Sequence, residues 1–175
     1  MSQQSGFPTV VPAYIIKFEV GEGNPVGATS SGSTFIHYSS PGGTISSVDG
    51  FSPSIDAKIA FAGDWLYFDP DQHHTRMNVK GVARTTDGEA TFQGINFAYS
   101  GVSTVSPDLA GIFNGQPKTI PFGQSTLNLT FEVGDARIKD LENSVWIGNG
   151  RFLFEENKLW VEVRVSKVVA SEDMD

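Results

Sequence analysis

Met77–Gly101 reads MNVKGVARTTDGEATFQGINFAYSG, and this stretch decides the fold. Around its start, Arg76, Asn78, Lys80, Val82 and Arg84 share one face of an extended chain, and Met77, Val79, Gly81 and Ala83 share the other. Asp87-Gly88 follows, a pair in which both positions tolerate positive φ. Between alternating segments, that pair is a strong signal for a two-residue hairpin turn. ATFQGINFAYSG then returns as the second strand. A period of two on both sides of a tight turn predicts a β-hairpin and argues against helix.

The same pattern extends outward in both directions. Towards the N-terminus, the expected strands are YIIKFEV (Tyr14–Val20), TFIHY (Thr34–Tyr38), a short TISSV ending in Asp49-Gly50, and DAKIAFAGDWLYF (Asp56–Phe68). GEGNPVGATSSGS (Gly21–Ser33) reads as a long flexible loop. Towards the C-terminus, STLNLTFEV sets Leu127, Leu129, Phe131 and Val133 against Thr126, Asn128, Thr130 and Glu132. SVWIGNGRFLF and KLWVEVRVSKV, joined by Glu-Glu-Asn, are the last two strands. The one helix signal is SPDLAGIFNG (Ser106–Gly115), which has a Ser-Pro start and a Gly stop. GDARIKDLEN (Gly134–Asn143) is a connector with room for one helical turn. About nine or ten strands with turns every 8–12 residues predict an all-β domain, a single closed and mostly antiparallel barrel. The expected organisation is a tail over residues 1–11, a barrel over 12–169 and an acidic tail over 170–175.

Composition narrows the chemistry. The chain has 175 residues, no cysteine and a net charge of −8. Thiolate nucleophiles, disulfides and cysteine-held metals are therefore excluded. An acidic chain without a basic cluster repels phosphate backbones, so neither nucleic acid nor anionic membrane is an expected partner. No apolar run is long enough for a membrane-spanning helix, and no basic-then-apolar leader opens the chain, so the expected location is cytoplasmic. No glycine-rich phosphate loop leads into a helix and no nucleophile elbow occurs; the expected cofactor set is empty.

GDWLYFDPDQHHTR (Gly63–Arg76) concentrates polar groups. Asp69, Pro70 and Asp71 carry turn chemistry, and the consecutive His73 and His74 point to opposite faces of a strand, so no metal centre is expected there. Asp64 differs, because it interrupts an apolar strand. Such a carboxylate is either held structurally by hydrogen bonds or poised in a pocket with a raised pKa.

Four segments resemble one known family, the domain-of-unknown-function family 3237. They are PGGT (Pro41–Thr44), AGDW (Ala62–Trp65), MNVKGVARTTDGE and LTFEVGDARIKDLENSVWIGNGR, in matching order over about residues 12–168. The resemblance implies a β-barrel with a central pocket, often self-associating, with a dimer the expected state; it implies no settled activity. Asn78 and Lys80 stand where the family usually has aspartate and arginine. The tryptophan of its Trp-Leu-Asn motif is either replaced by Leu141 or displaced, and one extra residue precedes Asn143. These departures suggest a reworked pocket.

With that resemblance, Asp64 belongs in the pocket, and the face of Asn78, Lys80 and Arg84 turns from solvent towards the interior. Glu132 shares a face with Asn128 and Thr130 and is open to the same two readings. Asn143 either lines the pocket or caps the connector. Tyr99 is a hydroxyl donor or an interfacial aromatic, and His37 has a structural role. Glu162 and Arg164 read as an exterior ion pair. The expected catalytic set is Asp64, Lys80, Glu132 and Asn143. The expected substrate-binding set is Trp65, Asn78, Arg84, Tyr99 and Trp146. The reading that follows is a cofactor-free isomerase or cyclase, including a pericyclase or dehydratase, acting on a small apolar natural-product-like molecule. The alternatives are a lipocalin-like carrier without chemistry and a purely structural oligomer subunit.

Overall fold

In a computed structural model, residues 5–86 and 94–172 are described. The expected Asp87-Gly88 turn lies outside the described residues. The elements in order are β1 (Thr9–Glu19), β2 (Gly23–Ala28), β3 (Thr34–Ser40), β4 (Gly43–Ser47), β5 (Asp56–Phe68), β6 (His74–Thr85) and β7 (Gly94–Thr104). A helix α1 (Pro107–Phe113), β8 (Ile120–Val133), a 3-10 helix α2 (Ala136–Leu141), β9 (Trp146–Glu155) and β10 (Lys158–Val169) complete the chain. The stretch Gly21–Ser33, expected as loop, contains β2, which pairs with β3. Backbone pairing there overrides the weak strand propensity of Gly23, Asn24 and Pro25.

The strands close on themselves. The first part of β5 pairs with β4, the second part with β3, and its other edge with β6. From β6 the antiparallel path runs through β7, β8, β9, β10, β1 and β4 back to β5, an eight-stranded closed barrel with β2 and β3 as additional strands. Closure removes the exposed edges that an open sheet of this width would present.

Burial follows the alternation seen in the sequence. In β8, Leu127, Leu129, Phe131 and Val133 are buried, while Thr126, Asn128, Thr130 and Glu132 are exposed. Each such aliphatic or aromatic side chain taken from water contributes about 1.5–3 kcal/mol. Gly81 shows how tightly the wall packs. A Cβ there would sit 2.4 Å from the ring of Phe97, its cross-strand partner, so only a glycine admits that ring.

The two ends of the lumen differ. One end is a solid floor in which Trp146 meets Tyr14, Phe131 and Phe51 at ring-centroid distances of 5.4, 5.7 and 6.2 Å. Trp146 Nε1 donates to the Leu141 carbonyl at 2.9 Å, and the Tyr14 hydroxyl donates to the Pro53 carbonyl at 3.1 Å, so the floor's polar atoms are satisfied. α2 adds Ile138 and Leu141 to this packing. The other end is roofed by α1. Ser106 caps it by accepting from Leu109 N–H, and Pro107 starts it. Leu109 and Ile112 are buried against Ile120, with Phe113, Phe152 and Leu159 alongside.

A β-bulge in β5 sets which side chains enter the space between floor and roof. Ile59 pairs with Ala83, but Phe61 pairs with Val82, leaving Ala60 as an extra residue. Before the bulge Ala57 and Ile59 are buried; after it Ala62 and Leu66 are buried, and Phe61 is 55% exposed. The phase of the strand has flipped. Asp64 therefore points into the lumen, and Trp65 points out.

The floor carries much of the stability. Trp146→Ala is expected to cost about 3–5 kcal/mol, read as a lower urea midpoint with an unchanged far-ultraviolet spectrum. A loss below about 1 kcal/mol would contradict a packed floor.

Candidate functional site

The space under α1 is a cavity of about 110 Å³. Its walls are mainly apolar, with Phe18, Leu66, Met77, Leu127 and Val163 among them, and Leu109, Ile112 and Phe113 close the helix side. An apolar cavity of ~150 Å³ is enough to hold benzene, so this smaller one suits a molecule of about one ring at most.

Two rows of polar groups fixed by strand register enter the cavity, and Ser39, Ser40 and Arg151 also line it. The inner row runs Tyr38–Asp64–Val79–Tyr99 across β3, β5, β6 and β7. Asp64 accepts a hydrogen bond from Asn78 N–H at 3.0 Å. Burial pushes its carboxyl up to about 6, against the smaller lowering effect of that hydrogen bond. Burial also raises the hydroxyls of Tyr99 and Tyr38, and the nearby negative charge of Asp64 adds to both shifts. Tyr99 is 4% exposed. Neither phenol makes a hydrogen bond among the described residues, and both line the cavity. An acid that exchanges its proton near neutrality thus shares a mainly apolar space with two protonated phenols.

The outer row, nearer the roof, is Thr75–Ser103–Ser125 on β6, β7 and β8. All three are buried, at 1, 4 and 7% exposure, and all three line the cavity. The Ser103 and Ser125 hydroxyls share a hydrogen bond of 2.6 Å.

Of the residues expected from sequence, the structure brings Asp64 and Tyr99 together. The others lie elsewhere. Asn78, Lys80 and Arg84 are exposed on the outer face of β6, because Val79, Gly81 and Ala83 take the interior. Burying the charged face instead would cost far more than it returns. Glu132 is exposed on β8 and accepts a hydrogen bond from the Asn96 side chain. Asn143 is exposed just after α2, whose C-cap is Glu142, and its backbone N–H donates to Asp140 O at 3.2 Å. Trp65 lies outside the lumen, edge-on to His37 at 4.9 Å. Trp146 falls in the same register row as Asp64, but strand tilt carries that row down to the floor. Tyr38, Thr75, Ser103 and Ser125 were not picked out from sequence. Their only signal is inward parity on strands of mixed polarity.

The polar tip of the β5–β6 turn does what turn chemistry suggests. Asp69 holds Arg76 through two nitrogens, and Asp71 accepts from the His73 and His74 backbone and from His74 Nδ1. Ligand atoms of Asp69, Asp71 and His74 lie within 4.8 Å of one another, already engaged in these pairs. Glu162, expected in an exterior pair with Arg164, is 7% exposed and also meets Arg151 at 3.1 Å.

The sequence profile of the family "Protein of unknown function (DUF3237)" matches residues 8–168. The chain belongs to DUF3237. No curated protein matches it by sequence. Among solved structures, this DUF3237 chain is similar to a conserved protein of unknown function from Rhodopseudomonas palustris, at 15% identity and a TM-score of 0.76, covering 94% of this chain and 100% of that one. It is similar to a beta-barrel like protein from Acinetobacter baumannii AYE, at 15% identity and TM-score 0.68, covering 95% and 99%. It also resembles an enzyme from Penicillium herquei, at 14% identity and TM-score 0.60, covering 96% and 98%. At such identities the likeness establishes the barrel. No helix among the described residues of this DUF3237 protein is long and apolar enough to cross a membrane.

The raised Asp64 carboxyl has a thermodynamic consequence of fixed sign. Its pKa is near 3.9 unfolded and about 6 folded, so the native state binds the extra proton between those values. Stability contributed by this group is therefore full below about pH 4 and is lost as pH rises through 6. The loss is on the order of 2–3 kcal/mol. Asp64→Asn is expected to be more stable than wild type by that order at pH 8 and close to it at pH 4, as measured by urea denaturation across the range. A wild-type-minus-variant difference that is flat with pH would contradict a desolvated Asp64.

Proposed function

We propose that this barrel is a cofactor-independent acid–base enzyme, an isomerase or cyclase of a small apolar molecule bearing a carbonyl. The observation that carries this reading is Asp64, an ionisable carboxyl titrating near 6 in an apolar cavity beside two phenols whose hydroxyls make no hydrogen bond among the described residues. A carboxyl with that pKa is mostly a base at neutral pH yet easily becomes an acid, the condition for moving one proton out and back.

In the first half-reaction Asp64 removes a proton from carbon next to the substrate carbonyl. The electron pair of the broken C–H bond moves into the new C=C bond, and charge collects on oxygen. Tyr99 and Tyr38, held protonated by their raised pKa, donate hydrogen bonds to that oxygen. In the second half-reaction the proton on Asp64 returns at a different carbon, or the enolate carbon attacks a second carbonyl carbon of the same molecule, whose C=O π pair moves onto its oxygen and takes the proton from Asp64 as the ring closes. Atoms and electrons balance within the substrate in both cases, so no external oxidant or reductant is required. The apolar walls exclude water, which strengthens these interactions and holds the chain in a reactive conformer. The likeness in fold to a Penicillium herquei protein described as an enzyme supports chemistry in this lumen.

The test is chromatographic. Pure protein incubated with small-molecule extracts is expected to convert one compound into another of identical mass. Asp64→Asn should cut that turnover by about 10²–10⁴ while still retaining the compound on the protein. Tyr99→Phe should cut it by about 10². Full turnover by Asp64→Asn would refute the acid–base role; a compound retained but never converted by wild type would identify a carrier.

A further inference from the structure

The inner row explains how a proton could move, but it leaves the outer row of hydroxyls without a task. Thr75, Ser103 and Ser125 lie on three adjacent strands at matched register, all inward and all buried. Between the two rows the inward positions are apolar: Leu66, Met77 and Leu127, with Gly101 adding no side chain. The cavity is thus polar, apolar and polar again along the barrel axis. From Val79, level with Asp64, to Thr75 is four residues along β6, about 13 Å at the rise of an extended strand. Tyrosine rings and hydroxyls reaching inward shorten the gap that a ligand must span.

Hydrogen-bond accounting shows what the outer row has to offer. Each hydroxyl carries one hydrogen. The Ser103–Ser125 bond uses one of two. Thr75 Oγ1 makes no hydrogen bond among the described residues. Two donors therefore face the cavity from side chains that are more than nine-tenths buried. A ligand oxygen entering the cavity would accept from these hydroxyls.

We propose that Thr75, Ser103 and Ser125 form a second polar subsite that holds an oxygen of the substrate. The substrate class is then a short apolar body, of about one ring, with oxygen at both ends. One oxygen is the carbonyl beside Asp64, Tyr38 and Tyr99; the other is a carbonyl, hydroxyl or ether oxygen under α1. This inference rests on the acid–base reading of the pocket for the role of the first oxygen, and on the hydroxyl row alone for the second. The outer subsite fixes which way round the molecule enters, and hence which carbon meets Asp64.

The test uses two probes on the full chain, acetophenone with one oxygen and 4-hydroxyacetophenone with one at each end, titrated by calorimetry or protein NMR. Wild type is expected to bind the two-oxygen probe roughly tenfold more tightly. The triple variant Thr75→Val/Ser103→Ala/Ser125→Ala should reduce that preference to about one, while binding of acetophenone changes little. A second, purely steric variant guards against misfolding of the first. A Cβ at Gly150 would lie 3.4 Å from Ser125 Cβ, an ordinary contact, and Gly150 lines the cavity beside that hydroxyl. Gly150→Ala should weaken the two-oxygen probe several-fold and acetophenone less. Equal behaviour of the two probes in wild type, whether both bind or neither does, overturns the subsite. So does a preference that survives in both variants. Asp64→Asn is expected to keep the preference. Loss of the acid–base role with an intact preference would therefore mark the failure of the catalytic reading and not of this one.

Discussion

One extra residue in β5 determines the character of the lumen. Without the bulge at Ala60, the parity set by Ala57 and Ile59 would carry Phe61, Gly63, Trp65 and Tyr67 inward and expose Asp64 to water. With it, Ala62, Asp64 and Leu66 face inward, and three large aromatic rings are sent outside. The bulge is held because β5 is the strand on which the barrel closes, bonded on one edge to β3 and β4 and on the other to β6. Bulges bend a strand and re-aim side chains, and this one exchanges an aromatic filling for a carboxyl with space around it.

The division of the barrel into floor and cavity follows from which rows carry bulk. Trp146, Tyr14, Phe131 and Phe51 fill one end, so that end contributes stability and has no room for a ligand. At the other end serine, threonine and glycine occupy inward positions where a tighter core would have aliphatic side chains, and α1 spans the gap they leave. Stability and chemistry are thus assigned to opposite ends of one sheet. Asp64 is kept costly by its surroundings at neutral pH, and the floor offsets that cost.

Much of this was legible in the chain and part was not. Alternation in Thr126–Val133 and around the Asp87-Gly88 pair identified an antiparallel all-β barrel, because burial of one face in two has an unmistakable period. The capped α1 was legible from Ser106, Pro107 and Gly115. Asp64 was legible because a carboxylate inside an apolar strand needs a reason to be there. Trp65 was misplaced because a bulge leaves no composition signal, and parity counted from either side of it gives opposite answers. Asn78, Lys80 and Arg84 were expected inside from a resemblance at those positions; the physical rule that the apolar face of a strand takes the interior was the better guide. The serine and threonine row stayed hidden because these residues are equally at home on a wet surface. Only the register of β6, β7 and β8 brings them together.

The central claim is that Asp64 sits desolvated in the cavity with a carboxyl poised near neutrality. Its most direct test is a carbon-detected NMR titration of side-chain carboxyl resonances in the full chain, with Asp64 assigned by its absence in Asp64→Asn. The structure predicts a midpoint near 6 for that resonance. A midpoint close to 4, where a solvated aspartate titrates, would contradict the account.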